Sequence, residues 1–137
     1  MALGAMASFA KQYHAIIIFV LLAIIIDFIT GVTKAKATGE GLNSRKATLG
    51  FWKKFALFVA LCFGFFLDYF IPYMLRYLHV DLPATALFGM VFGCYIVINE
   101  SISVVENLYM INPAILPVWV SDLLSSAKNQ IDKHKED

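Results

Sequence analysis

The chain is poor in charge, histidine and cysteine, and each shortage removes a class of function. Only 15% of its 137 residues are Asp, Glu, Lys or Arg, and the net charge is +1. No basic stripe runs along it, so nucleic acid is not expected as a partner. The two cysteines, Cys62 and Cys94, sit singly inside apolar runs without CxxC or Cys/His spacing. That pattern leaves no disulfide framework and no metal motif, and both thiols are expected to pack as small hydrophobes. His14, His79 and His134 are scattered, and no nucleophile, base and oxyanion donor group together. Neither an enzyme nor a cofactor-binding protein is expected.

What the chain does have is apolar surface: 60% of its residues are hydrophobic, too many for a water-soluble core. This predicts an all-α integral membrane protein, with three transmembrane helices and a C-terminal amphipathic helix. After an N-terminal segment (1–13), the runs at 14–33, 55–75 and 84–106 each hold about 20 residues, enough to cross a hydrocarbon core. The first run ends without a small-x-small cleavage site, so it is expected to be retained. Pro72 is expected to kink or end the second helix, and Tyr69, Tyr73 and Tyr77 form an aromatic collar there. The turn at 76–83 is short, so the third span folds back beside the second. Within 107–137, Val120, Leu123, Leu124, Ala127 and Ile131 share one helical face, suited to a membrane surface or a neighbouring subunit, and a charged tail follows.

A basic hinge (34–54) joins the first two spans and carries Lys34, Lys36, Arg45, Lys46, Lys53 and Lys54. The stretch Lys34 to Thr48, broken by Gly39 and Gly41, reads as an irregular connector, with Asn43 or Ser44 capping the next helix. Trp52, Lys53 and Lys54 read as a membrane-surface belt. Lys11 and Arg76 fall on one side of the bilayer and every other Lys and Arg on the opposite side. The hinge and tail are therefore expected in the cytoplasm, with the N-terminus outside.

Acids inside spans are costly and need a reason. Asp27 lies about 9 Å above the cytoplasmic end of the first span, and Asn99 and Glu100 lie at about the same height on the third, at 1.5 Å per residue. Lys34 shares the helix face of Asp27, as does Gly31, while Glu106 sits lower, near the hinge lysines. A polar cluster of Asp27, Lys34, Asn99, Glu100, Ser103 and Glu106 is expected. Two readings stay open for it: ion pairing that holds three helices in register, or a polar, hydrated path. Asp68 is a separate membrane acid, with Arg76 its nearest candidate partner. Gly89 and Gly93 form a GxxxG on the side that carries Glu100 and Asn107, for packing within a subunit or between subunits.

Three strings complete the reading: D-x-x-T-G-x-x-K-A from Asp27 to Ala35, S-R-x-x-x-x-G-x-x-K-K from Ser44 to Lys54, and N-E-x-x-S-x-x-E-N from Asn99 to Asn107. In this order, joined by a Phe-rich span with a membrane Asp, they resemble the bacteriophage lysis and toxin-secretion holins, including clostridial toxin-release holins. The resemblance implies a homo-oligomer in the bacterial inner membrane that assembles into lesions and dissipates the membrane potential. It implies release of an endolysin or toxin without a required direct contact. A non-pore membrane scaffold or adaptor of a secretion or defence complex, or a small ion or proton channel, are the alternative readings.

Overall fold

The computed structural model describes residues 2–39, 44–81 and 86–133. They form four α-helices: α1 (Ala2–Ala37), α2 (Ser44–Arg76), α3 (Leu87–Ile111) and α4 (Val118–Lys133), with a 3₁₀ turn at Pro113–Ile115 before the last. No strand occurs among the described residues. The segments Tyr13–Ala37, Ala47–Arg76 and Leu87–Ile111 are each long and apolar enough to cross a membrane.

The connector expected over 34–48 is shorter than its composition suggested. Helix α1 continues to Ala37, with Lys34 and Lys36 in its last turn, where cations complement the helix dipole. The Thr38 amide donates to the Lys34 carbonyl at 2.9 Å, and Gly39, at φ 71°, takes the left-handed conformation that ends a helix. Gly41 and Asn43 lie outside the described residues. Helix α2 starts at Ser44, so Arg45 to Lys54 ride on a helix. Pro72 does not end α2, which runs one turn further, to Arg76. It closes where the His79 amide donates to Arg76 O and the Val80 amide to Leu75 O, with His79 at φ 57°. Helix α3 outlasts its expected end at 106 by more than a turn and stops before Pro113, which cannot continue it.

Helix α3 packs against both α1 and α2. Against α1 it runs parallel: Tyr13 and Ile16 sit beside Gly89 and Gly93, and Gly31 sits beside Asn107. Against α2 it runs antiparallel, with Gly64 beside Phe88 and Phe92 at one end and Lys54 beside Glu100 at the other. Each helix gives one residue to the buried centre (Val20, Leu61, Ile96), ringed by Ile16, Ile24, Leu57, Phe65, Phe92 and Val97. Most apolar side chains point outward instead: 11, 17 and 22% of the apolar windows of the three spans are buried. A single chain therefore leaves most of its apolar surface for lipid or for other chains.

Among the described glycines, Gly64 is the one pressed against backbone, its hypothetical Cβ lying 3.1 Å from Phe88 O and 3.2 Å from Gly89 N. Backbone cannot yield as a side chain does, so Gly64→Ala is expected to destabilise the bundle by about 1–3 kcal/mol. Gly50, which faces open space, is the control: Gly50→Ala gains up to about 1 kcal/mol from helix propensity. Unfolding midpoints of the two variants in detergent micelles should move in opposite directions.

Candidate functional site: two polar nodes across three helices

The first node lies near the α1–α2 connection and takes one charged side chain from each helix. Lys54 on α2 donates from Nζ to Asp27 Oδ2 on α1 at 2.7 Å, and to Glu100 Oε2 on α3. The second oxygen of each carboxylate is also engaged. Asp27 Oδ1 accepts from Asn107 Nδ2 at 3.1 Å, and Glu100 Oε1 accepts from Asn99 Nδ2 at 3.3 Å. Asn107 Nδ2 lies 3.3 Å from Thr30 Oγ1, which itself donates to the Asp27 carbonyl at 3.0 Å. Gly31 leaves ordinary contact distance to Asn107, its ideal Cβ falling 3.7 Å from Nδ2. Ser103, one turn before Asn107 on α3, lies near Asp27.

These contacts give the sequence strings a physical meaning. In D-x-x-T-G, the Asp, Thr and Gly form the α1 wall of the node. In N-E-x-x-S-x-x-E-N, Glu100 and Asn107 are two turns apart and face it together. Side-chain exposure falls from 24% at Lys54 to 12% at Asp27 and 3% at Glu100. The cation thus sits nearer the outside of the bundle and the carboxylates deeper. Formally two negative charges meet one positive charge, and the added amide donors of Asn99 and Asn107 are what make burying the excess tolerable.

The structure brings together Asp27, Asn99, Glu100 and Ser103, and it supplies Lys54, not Lys34, as the cation that meets the acids. Lys54 was expected at the membrane surface with Lys53. The upstream start of α2 turns these neighbours about 100° apart on one helix, so Lys54 points into the bundle while Lys53 is exposed. Lys34 is partly buried; Lys36, Arg45 and Glu106 are exposed, and Lys46 lies in the first turn of α2. Asn107, buried and bonded to Asp27, belongs to the node although no charge marked it. Its signal was position alone, since it falls on the Glu100 face of α3.

The second node lies at the opposite end of the bundle, around Asp68 on α2. Its carboxylate accepts from the Phe88 amide at 2.7 Å, the Gly89 amide at 2.8 Å and the Tyr13 hydroxyl at 3.1 Å. The expected partner, Arg76, is exposed and is not among these donors. The cause is the start of α3: Ala86 offers no side-chain cap, so the first-turn amides turn to a carboxylate from the neighbouring helix. Gly89, tight against Phe65 and Tyr13, thereby serves contacts within one chain.

Among the described residues no set of His, Cys, Asp or Glu side chains converges to hold a metal ion, and no buried side-chain nitrogen or oxygen lacks a partner. Both nodes are polar contacts between spans. Comparison with known proteins bears on what such a bundle is. The sequence model of the bacteriophage holin family matches residues 4–129. An uncharacterized protein of Halalkalibacterium halodurans is 31% identical over 106 residues, covering 77% of this chain and 73% of that protein. No solved structure matches. With a family match spanning nearly the whole chain and three helices fit to cross a membrane, the chain belongs to the bacteriophage holin family.

Proposed function

We propose that this protein oligomerises in the bacterial cytoplasmic membrane, opens lesions that dissipate the membrane potential, and so lets an endolysin or toxin leave the cell. The N-terminus lies outside and the C-terminal helix inside, following the placement of Lys and Arg. The observation that carries this reading, within the family assignment, is the Asp27–Lys54–Glu100 node. Charged groups inside three spans can be hidden in two ways. They either satisfy one another within a closed chain or face water in an assembled lesion. The closed arrangement is the one described above, and an open one requires the three helices to part at Lys54. Lipid surrounds both forms, and the exported protein needs no direct contact with this chain.

The test is inducible expression in a bacterium carrying a membrane-potential dye and a cytoplasmic muralytic enzyme. Abrupt depolarisation followed by escape of the enzyme is expected. Depolarisation without escape would indicate a small channel, and neither event would leave a membrane scaffold. In the same assay Glu100→Gln leaves a neutral Asp27–Lys54 pair, strengthens the closed arrangement and delays the onset of lysis. Lysis on the wild-type schedule in this variant would separate the node from lesion opening.

A further inference from the structure

On one side of α3 neither node uses any side chain but Asn99, whose amide nitrogen meets Glu100. Tyr95, Asn99, Ile102 and Glu106 recur at i, i+4, i+7 and i+11, so they line one stripe. Tyr95 is 59% exposed and Ile102 54%; Glu106 is exposed and Asn99 partly so. The stripe continues the line of Phe88, about five turns before Glu106. Phe88 borders Gly64 of α2, and Lys53 lies about three turns before Gly64 on that same line of α2. An exposed carboxylate on α3 and an exposed ammonium on α2 therefore flank the same edge of the bundle. The ion pairs that Asp27 and Glu100 make go to Lys54, so Lys53 is not needed for the first node.

By the Lys54–Glu100 and Gly64–Phe88 registers the two charges lie about 8–10 Å apart in height, and the lean of both side chains narrows that gap. Side chains on a helix lean toward its N-terminus. Because α2 and α3 are antiparallel, Lys53 leans toward the level of Glu106 and Glu106 leans toward that of Lys53. Neither is comfortable against hydrocarbon, while Tyr95 and Ile102 on the same stripe are.

We infer that this edge, formed by the Tyr95–Asn99–Ile102–Glu106 stripe and Lys53, is the contact surface for a second copy of the chain. Resting on the lesion-forming reading above, it names the face through which copies meet. Two copies related by a two-fold axis along the membrane normal place Glu106 of each opposite Lys53 of the other, an isologous and charge-complementary contact. Ile102 and Tyr95 pack across the centre, and Asn99 can hydrogen-bond across it.

Oxidative cross-linking in bacterial membranes tests this, using the full chain with Cys62 and Cys94 replaced by Ala. Ile102→Cys is expected to give a covalent dimer, and Phe63→Cys, on the outer face of α2, about tenfold less. In the Ile102→Cys background, Glu106→Lys or Lys53→Glu alone should reduce the dimer about tenfold, and the two together should restore it. Equal cross-linking at Ile102 and Phe63, or a double exchange no better than either single one, would overturn the assignment and leave lipid as the occupant of this edge. Dye release from vesicles is read in parallel. Release that persists while the cross-linking pattern fails would sink this surface but spare the lesion reading. The expected pattern without release would do the reverse.

Discussion

Replacing Lys54 with Met is expected to cost the three-helix bundle about 3 kcal/mol, more than removing either of its acids. The asymmetry follows from the count of charges. Wild type holds Asp27 and Glu100 against one ammonium, so Lys54→Met leaves two facing carboxylates with no cation, Glu100 being only 3% exposed. Glu100→Gln or Asp27→Asn instead leaves one acid with one base. Part of the penalty is relieved because Lys54 and Asp27 retain some exposure, which places the estimate at the low end of what breaking a buried pair costs. Asn107 and Asn99 can soften the repulsion but supply no full charge. The measurement is the unfolding midpoint of the purified chain in mixed micelles titrated with a denaturing detergent. Adding Asp27→Asn and Glu100→Gln to Lys54→Met should recover most of the loss. If Lys54→Met unfolds with wild type, the node does not hold the helices together.

The same node shows how far the sequence could be read. Helix type, span number and the antiparallel return were visible because runs of about 20 apolar residues have few other fates. The shared depth of Asp27 and Glu100 followed from rise per residue alone. Lys54 did not, because Trp52-Lys53-Lys54 has the composition of a surface belt and the facing of a lysine depends on where its helix begins. A cap at Asn43 or Ser44 does point to a helix start there, and α2 begins at Ser44, but the connector reading to Thr48 masks what that start does to the facing of Lys54. A charge draws attention, whereas Asn107 needed the facing of α3 against α1 before its role became visible.

Asp68 marks the opposite limit: its main partners carry no side-chain signature. Backbone amides of Phe88 and Gly89 become available only because α3 begins at Leu87 without a cap of its own. Arg76 is the candidate the sequence offers because cations are visible in sequence and uncapped amides are not. The two nodes now explain why α3 sits between its neighbours. One fixes its first turn to α2 and, through Tyr13, to α1; the other fixes its later half to both.

Asp68→Leu is accordingly expected to rank beside Lys54→Met. It removes three accepted hydrogen bonds and strands two amides at the start of α3, each unsatisfied donor costing about 1–3 kcal/mol. Asp68→Asn keeps one acceptor oxygen for those amides and can donate to Tyr13, so its loss should be smaller. Tyr13→Phe removes one bond and leaves the cap intact, at about 1 kcal/mol. The order Asp68→Leu, then Asp68→Asn, then Tyr13→Phe distinguishes a helix cap from a general charge effect. A charge effect would make the Leu and Asn variants equivalent and would leave backbone protection unchanged. Hydrogen exchange at Phe88 and Gly89 decides between them. Asp68→Leu should expose both amides to faster exchange while the middle of α3, around Ile96, keeps its protection. If both amides stay protected in Asp68→Leu, the start of α3 is held by its packing against Gly64 and Phe65, and the cap is dispensable.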